Sequence, residues 1–126
     1  MHRTGSKSEY VLNIPYVPVS ENSKTWRTWY LRYRYNLEIK DAVYWLCREQ
    51  AIPPLESIHL TAIVYFATRR RRDQDDFTSP LYKPINDGLV MAGIIPDDDQ
   101  DHISIIPPIL SVGQSPRIEL TIYERT

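Results

Sequence analysis

Between Arg69 and Asp101 the chain reads RRRRDQDDFTSPLYKPINDGLVMAGIIPDDDQD. Four arginines, Arg69, Arg70, Arg71 and Arg72, run directly into Asp73, Asp75 and Asp76. Asp87 follows about a helix later, and Asp97, Asp98, Asp99 and Asp101 come just past Gly93. Carboxylates gathered this densely repel one another, and a divalent cation held by oxygen ligands compensates them. Guanidinium groups beside them are suited to a phosphate backbone. Metal-binding acids next to phosphate-binding arginines point to metal-dependent phosphodiester chemistry.

The aspartates also admit simpler roles. Asp is a common turn residue, so each taken singly has an ordinary structural role available. A calcium loop fits Asp97, Asp99 and Asp101 as D-x-D-x-D, but His102 stands where that loop needs glycine and Pro108 where it needs glutamate. The remaining reading is a magnesium site assembled from separate segments: a strand end, a helix and the loop after it. Lys83 and Asp87 are four apart and share a helix face, as a surface ion pair or as a lysine beside a metal-binding acid.

The other metal and nucleotide chemistries lack their signatures. His2, His59 and His102 are scattered and Cys47 is the single cysteine, which argues against zinc. With only four glycines there is no Walker A or dinucleotide-binding pattern, so no nucleotide cofactor is expected. A second group of interest precedes the acids. Trp26, Trp29, Tyr30, Tyr33 and Tyr35 are interleaved with Arg27, Arg32 and Arg34, shortly after Lys24. Aromatic faces mixed with cations suit nucleic acid. They equally suit a helix packing its aromatic side on a sheet, or a dimer interface.

The elements that would position these groups follow from periodicity and punctuation. Tyr10–Ile14 is a short strand ended by Pro15, and PYVPVSENSKTWRTW is a loop. Residues 28–51 carry helical spacing through Leu37, Val43, Leu46 and Cys47, until Pro53 and Pro54. SIHLTAIVYFA is a strand with both faces covered, hence central. Ser79-Pro80 signals a helix start, with the regular part beginning nearer Tyr82 because Pro84 removes a hydrogen bond. Leu81, Ile85, Leu89 and Ala92 would face the core, and Gly93 would end the helix. HISIIPPIL allows a short strand before Pro107, and PRIELTIYER is the last. The expected architecture is a small single α/β (α+β) domain over residues 10–126, with a mixed β-sheet, two main helices and a flexible leader over residues 1–9.

At 126 residues the chain suits one domain. No long uncharged apolar run or signal-peptide core is present, so no membrane partner and a cytoplasmic home are expected. The net charge of -1 hides an asymmetry: residues 1–72 hold 12 Lys/Arg against 6 Asp/Glu, and residues 73–126 hold 3 against 10. Basic groups confined to one part can serve a nucleic acid even when the total is neutral.

The order RRRDQDD, then KPINDGL, then AGIIPDDDQ resembles the RusA-type Holliday-junction resolvases, strongly over residues 69–100 and more loosely before them. The resemblance implies a homodimeric endonuclease of mixed α/β fold that cuts four-way junctions and other branched DNA with Mg²⁺, for which Mn²⁺ can substitute. The metal set it implies is drawn from Asp73, Asp75, Asp87 and Asp98, with Asp97 adjacent, and the catalytic lysine is Lys83. Asp76 stands where relatives usually carry asparagine, leaving Asp75 or Asp76 as the ligand. No lysine lies between His102 and Arg117, where relatives often have one. DNA contacts are expected from Arg69–Arg72, Arg27 and Lys24. The alternative is a non-catalytic protein that binds junctions on the same fold.

Overall fold

The computed structural model describes residues 8–125. Most of the expected leader lies outside them. Its last two residues belong to the sheet, because Ser8 accepts a hydrogen bond from the Glu124 amide and Glu9 opens the first strand.

The chain runs β1 (Glu9–Ile14), α1 (Lys24–Arg27), α2 (Trp29–Glu49), β2 (Ile58–Phe66), α3 (Asp75–Met91), β3 (Ile103–Ile105), β4 (Ile109–Val112) and β5 (Arg117–Glu124). The sheet is mixed. β5 lies between β1 and β2, antiparallel to both. The far edge of β2 is shared by β3, beside Ile58–Leu60, and β4, beside Ile63–Phe66, both parallel to it. Pro107 and Pro108 separate the two because proline cannot donate to a ladder. β4 was not expected from the sequence.

Strict alternation gives the sheet one dry face. Ile58, Leu60, Ala62, Val64 and Phe66 of β2 and Ile118, Leu120 and Ile122 of β5 are buried, while His59, Thr61, Ile63 and Tyr65 are half-buried on the other side. The dry face packs against the buried stripe Ile39, Val43 and Cys47 of α2 and Leu81, Ile85 and Leu89 of α3. α2 and α3 approach closely at Gly88, where a Cβ would lie 2.8 Å from both the Lys40 carbonyl oxygen and Val43 Cβ.

Both long helices end in the same hydrogen-bonded turn. After α3, Gly93 takes φ 76° while its amide and that of Ile94 bond back to Val90 and Leu89. After α2, Ala51 occupies the equivalent left-handed position at φ 53°.

The start of α3 corrects the sequence reading. The helix begins at Asp75, so Pro80 and Pro84 both lie inside it. Each proline frees the carbonyl four residues earlier. The Asp76 carbonyl accepts the Glu21 amide at 2.8 Å, and the Pro80 carbonyl accepts the Tyr35 hydroxyl at 2.8 Å. Tertiary donors thus replace the two missing helical bonds.

Candidate functional site

α3 sets the geometry because acids cluster at both of its ends. Asp75 and Asp87 are twelve residues apart on one helix, about 18 Å at 1.5 Å per residue. The recess at the N-terminal end, about 360 Å³, is lined by Arg70, Arg71, Arg72, Asp73 and Asp76, with Ser20 from the loop after β1. The recess at the C-terminal end, about 470 Å³, is lined by Lys40, Lys83, Asp87, Asp97 and Asp98. The expected acids therefore form two groups and do not share one cleft. Among the described residues, no three Asp, Glu, His or Cys side chains stand close enough together to hold a metal ion.

The missing convergence follows from the helix start. A helix beginning near Tyr82 would have left Phe77–Tyr82 as loop, free to fold back toward Asp87. The two extra turns hold Asp73–Asp76 away from it. The loop after Gly93 folds back only as far as Asp87, where Asp97 and Asp98 line the same recess, and does not carry them to Asp73 as one shared cleft would require. Asp97 Oδ1 accepts the Asp98 amide at 2.7 Å, and Asp73 Oδ1 accepts the Asp75 amide at 3.1 Å, so each pair is ordered by its own backbone. Asp99 turns elsewhere. It contacts His102 Nδ1 at 2.6 Å, and this hydrogen bond holds its carboxyl below the usual value.

The cations are unevenly engaged. Lys83 Nζ lies 3.2 Å from Asp87 Oδ1 on the helix surface. Among the described residues, the only other ion pair is that of Asp99 with His102. Arg69, Arg70 and Arg71 are exposed and make no ion pair with the neighbouring aspartates. Arg72 differs from them: its guanidinium lies 3.8 Å from the Phe66 ring centroid and donates to the Thr68 carbonyl. Lys24 and Arg27 are exposed on α1, whose N-cap Ser23 accepts the Trp26 amide.

Lys40 in the acidic recess was not singled out from the sequence. No local pattern links it to Lys83, because its place comes from α2 crossing α3 at Gly88. Gln74 was also missed. It donates to the Pro108 carbonyl at 2.6 Å and ties the start of α3 to the β3–β4 connection.

The chain matches no model of a known protein family and no curated protein. Its fold is a small α+β domain with a mixed sheet and three helices, and among the described residues no helix is long and apolar enough to cross a membrane.

Proposed function

We propose that this protein is a Mg²⁺-dependent, structure-selective endodeoxyribonuclease of the RusA type, acting as a homodimer on four-way junctions and other branched DNA. One observation carries the reading: Arg69, Arg70 and Arg71 are exposed and, among the described residues, pair with no acid, although Asp73, Asp75 and Asp76 are adjacent in sequence. Arginines that served the fold by ion pairing would lie against those acids. Arginines held free are available to an anionic strand.

The donor chemistry fits magnesium, since every candidate ligand is a carboxylate oxygen. Asp87 with Asp97 or Asp98 would supply part of the ligand set from the C-terminal recess, and Asp73 with Asp75 or Asp76 the rest from the N-terminal one. A single chain keeps these groups apart. A two-fold dimer that sets α3 antiparallel to its copy would bring the N-terminal acids of one protomer to the C-terminal acids of the other. The exposed aromatics of α2 support a partner surface: Trp29 is 73% exposed, Tyr33 64% and Trp45 65%. The ion would supply charge neutralisation at the scissile phosphate and a water activated at neutral pH. Lys83 is placed to stabilise charge developing on the phosphate, and Arg69–Arg71 to hold the flanking backbone. Two equivalent sites in a dimer match the two strands that a junction presents for symmetric cutting.

The test is incubation of purified protein with a synthetic four-way junction. Paired nicks that require Mg²⁺ are the expected result. Binding without cleavage in either Mg²⁺ or Mn²⁺ would favour the non-catalytic alternative, and absence of binding would end both.

A further inference from the structure

A third recess lies on the opposite flank of Lys83 from the acids, between α1, α2 and α3. Its volume is about 430 Å³, within the range of small-ligand sites. One wall is Trp26, whose ring receives the Arg32 guanidinium 5.7 Å from its centroid and meets Tyr35 edge-to-face at 6.2 Å. Arg32 is fixed by donating to the Trp26 carbonyl at 2.9 Å. The opposite side carries Tyr82, whose hydroxyl is committed to the Ile106 carbonyl at 2.8 Å, so that its ring is held as a wall. Asn36 is also part of the lining, and its Oδ1 is sealed from solvent with no hydrogen-bond partner among the described residues. Such orphan atoms are uncommon.

We propose that this recess takes one unstacked nucleobase from the DNA strand being cut. The proposal rests on the nuclease reading above and adds a subsite to it. An indole with a guanidinium against it is a stacking platform that accepts any base. A side-chain amide is the group that pairs with the edge of a base, and turning the Asn36 amide over would exchange its sealed Oδ1 for its Nδ2, so that a base could meet either the donor or the acceptor. Lys83 supplies the link, because it lines both this recess and the acidic one. A base seated beside Trp26 would therefore place its own phosphate at Lys83, next to Asp87. Duplex DNA pays to unstack a base, whereas a nucleotide at the branch point has already lost part of its stacking. The recess thus gives a structural reason for preferring branched over linear DNA.

The test is a double-mutant cycle on binding, measured by fluorescence anisotropy in EDTA so that nothing is cut. The probes are an intact four-way junction and a set of junctions abasic at one nucleotide beside the crossover. Trp26→Ala removes the platform, and Ser79→Trp fills the recess from an exposed rim position. Both variants should weaken binding to the intact junction between about fivefold and a hundredfold. At one abasic position neither should weaken it further, because the base they act on is gone. Equal weakening at every abasic position, or no weakening of the intact junction by Ser79→Trp in a protein that melts normally, overturns the subsite. The nuclease reading survives that outcome if Mg²⁺-dependent cutting persists. Failure of the wild-type protein to bind any junction overturns both.

Discussion

The Tyr35 hydroxyl donates to the Pro80 carbonyl at 2.8 Å, filling the helical bond that Pro84 cannot make. The same oxygen accepts the Val19 amide at 3.3 Å. One phenol therefore joins α2, the interior of α3 and the loop after β1. Tyr35→Phe would leave a carbonyl and an amide without partners. The expected loss is about 1–3 kcal/mol, seen as a lower urea midpoint at unchanged denaturant slope. An unchanged midpoint would mean that water replaces the hydroxyl.

The divided acid set makes a prediction about mixing. Asp75→Asn and Asp87→Asn should each abolish junction cutting while leaving binding intact. If the sites are shared across the dimer, co-refolding the two inactive variants gives heterodimers with one fully wild-type site. Such mixtures should nick one strand of a junction, whereas each variant alone does nothing. Mixtures without nicking, with heterodimers present, would place all the ligands of a site in one chain.

Arg70→Ala with Arg71→Ala tests the phosphate role. The pair should weaken binding to all DNA and flatten the plot of log affinity against log salt by roughly 0.9 per lost contact on duplex arms. The cut position should not move, since phosphate contacts carry no sequence information. Among the described residues neither arginine makes an ion pair, so the melting temperature should hold. A fall in melting temperature at constant salt slope would reverse the assignment.

Gly88→Ala should cost about 1–3 kcal/mol through overpacking. Its Cβ would meet the Lys40 carbonyl oxygen, a backbone atom that cannot swing aside. Thermal melting measures the loss. A neutral result would mean that the two helices can separate without penalty.

Burial pushes the Cys47 thiol up to about 11. The native protein should therefore hold it protonated at neutral pH and react with Ellman's reagent only on unfolding. The preference for the thiol stabilises the fold below the ordinary thiol value near 8.5. That contribution is lost as pH rises through about 11. Rapid labelling of native protein at pH 7 would contradict this.

Much of the fold was legible in the sequence because it rests on local period. The alternation of β2 and β5 and the stripe of Leu81, Ile85 and Leu89 all appear as written. α3 was misjudged because prolines at 80 and 84 argue against a helix on local grounds. They are tolerated only through Glu21 and Tyr35, whose positions are tertiary facts. β4 escapes a local reading for a similar reason, since ILSV is short, directly follows two prolines, and is defined by its pairing with the distant β2. At the candidate site the sequence reading gathers all the acids in one cleft, and of these only Asp87, Asp97 and Asp98 line one recess, because one helix turn and a short loop bring them together. It did not anticipate the separation of Asp73–Asp76, which follows from the helix length.

The pairing of β5 with both β1 and β2 governs the order in which the sheet can form. Among the described strands, β1 is made first and its partner β5 is made last. During synthesis β1 must wait unpaired while residues 15–116 emerge, and β2 must keep one edge open while residues 67–116 emerge. Closing contacts over such sequence distances is slow, and unpaired edges invite association with other chains. A nascent chain arrested before residue 117 should therefore hold α2 against α3 but have no closed sheet, and release of residues 117–124 should complete the domain in a single cooperative step.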